Sequence, residues 1–154
     1  MERLKVDIRA MRSGDESMLF FIAEESLHPL ALGYGHGERY RPDELVELLA
    51  RALVYVAEAA GEVAGYVAVE RQDDAIAVRC LCVNPAFEAR SVAHQLVDWV
   101  EGLAFDQRVA RLAARVPAGD EPSLRLYRKH EFVARPATDR PETIVLEKRL
   151  PTAS

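Results

Sequence analysis

The sequence predicts an α/β domain built on one mixed sheet of six or seven strands, flanked by about four helices. Two observations lead there. From residue 53 the hydrophobic pattern changes from a helical repeat to strand-like runs. One of these, Ala75 to Val83, is apolar almost throughout apart from Arg79, as a central strand covered on both faces requires. That run is followed by a helix-patterned segment and a further strand, an order that implies a right-handed parallel crossover. Residues 1–154 are expected to form a single domain with its own core.

The elements follow in order. Val6 to Ala10 reads as a strand. Ser13-Gly14-Asp15-Glu16 reads as a helix start with carboxylates at its positive end, and Met18, Phe21, Ile22 and Leu27 as the helix's apolar stripe, ended near Pro29. Residues 28 to 42 form a break punctuated by glycine and proline. There Tyr34, His36, Arg39 and Tyr40 line either a binding surface or an ordinary loop. Asp43 to Ala52 resumes a helix after Pro42. Leu53 to Ala57 and Val63 to Glu70 read as a hairpin, and Gln72-Asp73-Asp74 as the turn into the strand at Ala75.

A helix is expected from about Ala89 to Phe105, with Val92, Leu96, Val100 and Leu103 as its stripe. The next strand shows the alternation Ala110, Leu112, Ala114, Val116. Asp120-Glu121-Pro122 opens a helix running to about His130. A short strand from Phe132 and a last strand from Thr143 to Leu150 close the chain.

Composition narrows the function classes. A formal charge of −5 argues against a nucleic-acid partner. No apolar run approaches the roughly 20 residues that span a bilayer, so no membrane partner is expected. The N-terminal MERLKVDIRAM lacks the basic-then-apolar layout of a leader, which gives a cytoplasmic expectation. Cys80 and Cys82 share one strand face and read as buried thiols, and no metal-ligand spacing accompanies them.

Two segments carry chemistry. In Leu81 to Val97, a buried strand runs through a tight connection into a helix whose first residues, Ala89, Ser91 and Ala93, are small. Free amides and the helix dipole at such a start suit a phosphate. In Asp120 to Val133, Tyr127 sits inside a helix just after the crossover strand. A phenol with a pKa of about 10 can donate to a departing thiolate of about 8.5 when the two are held in contact. By itself, such a tyrosine more often packs its ring in the core.

Together these segments resemble the GNAT N-acyltransferases, over nearly the whole chain. Leu81-Cys82-Val83-Asn84-Pro85 is similar to that family's Leu-x-Val-x-Pro. Glu88-Ala89-Arg90-Ser91-Val92-Ala93 aligns with its Gln/Arg-x-x-Gly-x-Gly/Ala loop, and Leu126-Tyr127-Arg128-Lys129-His130-Glu131-Phe132 with its Leu-Tyr-x-Lys-x-Gly-Phe. The departures are Glu88, Ser91 and Glu131, the last two standing where the pattern has glycine, and Asp120, where an asparagine is frequent. Arg90 offers a positive charge beside Glu88.

The resemblance implies acetyl-CoA as co-substrate and no metal. Its pyrophosphate would lie at Glu88, Ala89, Arg90, Ser91, Val92 and Ala93, with Lys129 beside it, and its pantetheine arm against Leu81, Cys82 and Val83. Tyr127 would be the general acid. An amine, of a small molecule or a protein, would attack directly after losing a proton to a base. Glu70 is the first choice for that base, since such strand ends face the cleft in this family, with Asp73, Asp74 and His36 as further candidates. The alternative readings are a catalytically impaired module that binds coenzyme A and an interaction domain. A homodimer is compatible with any of these.

Overall fold

The computed structural model describes residues 5–25, 42–87, 91–139 and 143–151. Among the described residues the elements are β1 (Asp7–Ala10), α1 (Glu16–Glu25), α2 (Pro42–Arg51), β2 (Leu53–Ala59), β3 (Glu62–Gln72), β4 (Ala75–Val83), α3 (Val92–Asp106), β5 (Arg111–Pro117), α4 (Glu121–Lys129), β6 (Val133–Pro136) and β7 (Thr143–Arg149), with a 3-10 turn at Pro85–Phe87. The seven strands form one sheet in the order β1-β2-β3-β4-β5-β7-β6. Only β4 and β5 are parallel, as the crossover through α3 demands. The expected mixed sheet with four helices is therefore what the chain forms.

Local chemistry explains the boundaries. The β2–β3 turn is tighter than the sequence suggests, because Ala60 and Gly61 both take positive φ, 52° and 81°. That is the two-residue hairpin geometry whose twist suits the strands it joins. Asp15 sits just before α1. It accepts hydrogen bonds from the Arg12 amide at 2.8 Å and from both Nη atoms of Arg9, at 2.8 and 3.0 Å. Arg9 Nε reaches Glu58 at 2.9 Å, so one guanidinium ties β1, the start of α1 and β2 together. It holds the carboxyl of Asp15 below its ordinary pKa. Of the expected stripe of α1, Ile22 is buried, Met18 and Phe21 are exposed, and Leu27 lies outside the described residues; Leu19 and Ala23 join Ile22 on the face toward the sheet.

Two apolar layers flank the sheet. On one side α1 and α2 place Leu19, Ile22, Leu45, Leu48 and Leu49 over Val54, Val56, Tyr66, Ala68, Cys80 and Cys82. On the other, α3 and α4 place Val92, Leu96, Val100 and Leu124 over Val67, Ile76, Val78, Leu81, Leu112 and Leu146. Within β4 the side-chain parity changes between these layers. Even-numbered Ile76 and Val78 face α3, but beyond them odd-numbered Leu81 does. The cause is a β-bulge: Ala68 pairs with Cys80 and Val69 with Val78, so Arg79 is the extra residue. One inserted residue exchanges the faces of all that follow.

Helix α3 begins at Val92, three residues later than expected, because Ser91 has φ 64° and ψ 13° and cannot be helical. Gly65 lets α3 sit close to the sheet. A Cβ there would lie 2.7 Å from the Cys82 carbonyl oxygen and 3.2 Å from Val92 Cγ1. The last short strand begins at Val133 rather than Phe132, whose ring is buried against Tyr127.

Candidate active site

The two parallel strands part. Their ladder runs from Ala75 opposite Arg111 to Val78 opposite Ala114 and stops there. Beyond it β4 continues to Val83 on the β3 side, and β5 continues to Pro117 against β7. The bulge at Arg79 falls at the vertex, where extra twist turns β4 away. In the parted stretch the Asn84 amide donates to Ala64 on β3 at 2.8 Å, and the Cys82 carbonyl faces Gly65 on the same strand. Peptide groups alternate from edge to edge of a strand. Those of Leu81 and Val83 therefore turn toward the gap, where β5 makes no pair with them. Asn84 fixes the end of β4, its Nδ2 donating to Val63 and its Oδ1 accepting from Ala86, each at 3.0 Å.

The start of α3 stands at the mouth of this gap. Val92 is buried against the sheet, and Ala93 packs partly on the same layer. Ser91 caps the helix without a side-chain bond to it; its hydroxyl instead accepts from Gln95 Nε2 at 3.2 Å. Its left-handed backbone is the conformation that favours glycine, so the chain keeps a glycine-like turn with a serine in it. Glu131 repeats this at φ 69°. Glu88, Ala89 and Arg90 lie outside the described residues, as do Tyr34, His36, Arg39 and Tyr40.

Asp120 caps α4, accepting from the Ser123 amide at 3.3 Å, and the helix turns Ser123, Leu124, Leu126 and Tyr127 inward. The Tyr127 ring meets Phe132 edge-on, with centroids 5.1 Å apart. Burial pushes the Tyr127 pKa well above 10, and Cys80, Asp120 and Cys82 add to the shift as neighbours that are negative when ionised. Tyr127 shares the buried α3/α4 layer with Leu81, and Val83 packs against that layer, so its helix lies over the parted stretch of β4. The two thiols, 3.7 Å apart, are free and buried; the hydrogen bond between them, then burial, pushes Cys80 up. Lys129 is exposed at the end of α4.

Glu70 lies on the α1/α2 side of β3. One oxygen accepts from Arg79 Nε at 3.0 Å and the other from Arg51 Nε at 3.2 Å. Through Arg79 it reaches the vertex. Asp73 and Asp74 sit in the turn at the closed end of the strand pair. Asp74 is held by Arg111 at 3.2 Å, roughly 16 Å along β4 from the bulge at about 3.3 Å per residue. Neither reaches the parted stretch.

Sequence reasoning missed two groupings that only the fold assembles. The first is a cavity of about 450 Å³ on the α1/α2 side of the vertex, with Arg79, Arg111, Arg115 and Arg135 in its wall. The second joins α3 to the end of α4. His94 Nδ1 lies 3.0 Å from His130 Nε2, and His130 Nδ1 faces Asp98 at 3.5 Å and Glu101 at 3.8 Å. Lys148 Nζ donates to Glu101 at 2.6 Å.

A model of the acetyltransferase (GNAT) family matches residues 15–132. No curated protein matches the sequence. Among solved structures, the ribosomal-protein-S18-alanine N-acetyltransferase from Escherichia coli is similar, with a TM-score of 0.79, 16% identity, and 97% of each chain covered. Ard1 from Thermoplasma volcanium gives 0.77 at 18% identity, covering 95% of this chain and 98% of that one. The PaiA N-acetyltransferase from Thermoplasma acidophilum, in complex with coenzyme A, gives 0.77 at 14% identity, covering 96% and 100%. At such identities the likeness is one of fold. Among the described residues no helix is long and apolar enough to cross a membrane.

Proposed function

The chain belongs to the acetyltransferase (GNAT) family, and from that premise we propose that it is an N-acetyltransferase, moving an acetyl group from acetyl-CoA to an amine by direct attack. The observation that carries this reading is the parting of β4 from β5 beyond Val78, which leaves peptide groups of a central strand without a neighbour on one edge. Unpaired backbone groups inside a domain are costly. An extended amide-bearing arm laid along Leu81, Cys82 and Val83 satisfies them. The start of α3 supplies the second half of the fit: amides at a helix N-terminus, a small residue at Ala93 and a glycine-like turn at Ser91. Acetyl-CoA, when bound, supplies an acyl group activated as a thioester.

The chain's own groups do the rest. A peptide N–H of the parted stretch donates to the acyl oxygen, where negative charge develops. As the C–N bond forms and the C–S bond breaks, Tyr127 gives its proton to sulfur. Its raised pKa keeps that proton in place at neutral pH and makes the transfer uphill, a cost offset by holding donor and acceptor together. Glu70, fixed beside the vertex by Arg79 and Arg51, is proposed to take the amine's proton; a carboxylate keeps acceptor sites beyond two hydrogen bonds. Lys129, exposed at the end of α4, is proposed to meet a cofactor phosphate.

Calorimetry with acetyl-CoA and thiol release across a panel of amines test the proposal. Binding with turnover is expected. Binding with no turnover on any amine leaves the coenzyme A-binding module, and no binding removes both.

A further inference from the structure

We infer that the acceptor amine carries a carboxylate, held by arginines in the cavity at the strand vertex; the inference rests on the reading of the parted strands as the acyl-carrier cleft. Position is the first argument. The cavity wall includes Ala77, Val78 and Arg79 of β4 and Ala113, Ala114 and Arg115 of β5, the residues on either side of the last ladder pair. An acyl arm lying between the parted strands ends at that vertex, and an amine entering from the cavity meets it there. At about 450 Å³ the space suits a small molecule.

Charge is the second argument. Among the described residues, Arg79, Arg111, Arg115 and Arg135 line the cavity with Asp139 and Glu147 as the acids beside them, in a chain whose formal net charge is −5. Positive charge is thus concentrated where the rest of the surface is on balance negative, which draws in an anion.

The guanidinium bonds are the third. Glu147 takes Arg111 Nη1 at 2.6 Å and Arg135 Nε at 3.2 Å; Arg79 gives Nε to Glu70, and Arg115 gives Nη2 to Asp139. These bonds fix the side chains without using them up. Both Nη groups of Arg79 and of Arg135 keep donors with no partner among the described residues. Arg115 Nε is buried with no acceptor among the described residues. An orphaned donor of this kind is costly, and an arginine fork is matched by a planar carboxylate taken through two nitrogens.

The test pairs free α-amino acids with their amides as acceptors in a thiol-release assay. It is run with wild type, Arg115→Gln and the more exposed Arg135→Gln, and acetyl-CoA affinity is measured alongside. Losing one charge-assisted contact costs about tenfold or more. The best amino acid is expected to lose at least about tenfold in kcat/KM as its amide. Arg115→Gln is expected to lose the same factor on the acid, little on the amide, and nothing in acetyl-CoA affinity. Should Arg115→Gln fail to fold, Arg135→Gln is expected to show the same selective loss at smaller size. Amides turned over as well as acids, phosphoethanolamine preferred to every amino acid, or both variants acting normally on acids would each overturn the inference. The readout without turnover is the rise in Tm given by N-acetylglutamate against its diamide. If acetyl-CoA fails to bind while N-acetylglutamate alone stabilises wild type and not Arg115→Gln, the acyl-carrier reading falls and the anion site stands. If neither compound stabilises the protein, the site falls too.

Discussion

Strand β4 behaves as two strands joined at Arg79. Residues 75–78 are paired on both edges, to β3 and to β5, and bury Ile76 and Val78 under α3. Residues 80–83 have the same apolar composition and the same β3 partner, yet their second edge is open. Apolar content therefore does not separate the two halves; backbone pairing does. The closed half holds the sheet together and the open half is free to hold something else.

The largest expected effect breaks the closed half. Leu112, fully buried opposite Ile76, should cost about 2–5 kcal/mol as Leu112→Ala, read by chemical denaturation. The open half should respond in the other currency. Tyr127→Phe is expected to lower turnover at least about tenfold while leaving stability and acetyl-CoA affinity near wild type, since no described residue bonds its hydroxyl. A marked loss of stability would make Tyr127 a core residue first. Because its pKa lies well above 10, the phenol stays protonated throughout the usual assay range. The kcat profile should therefore show no fall below pH 10 that Tyr127→Phe abolishes.

A variant that acts on the open half yet reads out in both stability and binding is Gly65→Ala, whose methyl would press on the Cys82 carbonyl at 2.7 Å. About 1–3 kcal/mol of stability should be lost, together with acetyl-CoA affinity, as α3 moves off the end of β4. Unchanged affinity would separate the helix start from the site. The smallest effect runs the other way. Glu131, left-handed at φ 69°, should gain about 0.5–1 kcal/mol as Glu131→Gly, because relief of the strain exceeds the entropy glycine loses on folding. A Tm rise of about 1–4 °C checks it.

The sequence showed the closed half more clearly than the open one. The bounds of β4 were readable because the run is apolar and both its ends carry turn residues. The proline and acids at the start of α4 marked that helix. The bulge left no trace, since Val78, Cys80, Leu81 and Cys82 are apolar on either face and any parity fits them. The buried face of α1 was hidden for a similar reason: Met18, Leu19, Phe21 and Ile22 are all apolar, and the sheet chooses among them. Ser91 and Glu131 gave no sign of their backbone, because neither residue type demands positive φ. The arginines of the cavity come from three different strands and a single sheet face, and each alone reads as a solvated charge. The histidine pair leaves no mark in the sequence, because His94 and His130 stand 36 residues apart and only the packing of α3 against the end of α4 brings Asp98 and Glu101 to His130.

The extra residue at Arg79 makes the site sensitive to length as well as to chemistry. A strand without it would carry the same letters out of phase. Cys80 and Cys82 would trade sides with Leu81 and Val83, and the bend that opens the sheet would straighten. Deleting a single codon there would therefore do what no substitution at the same place can.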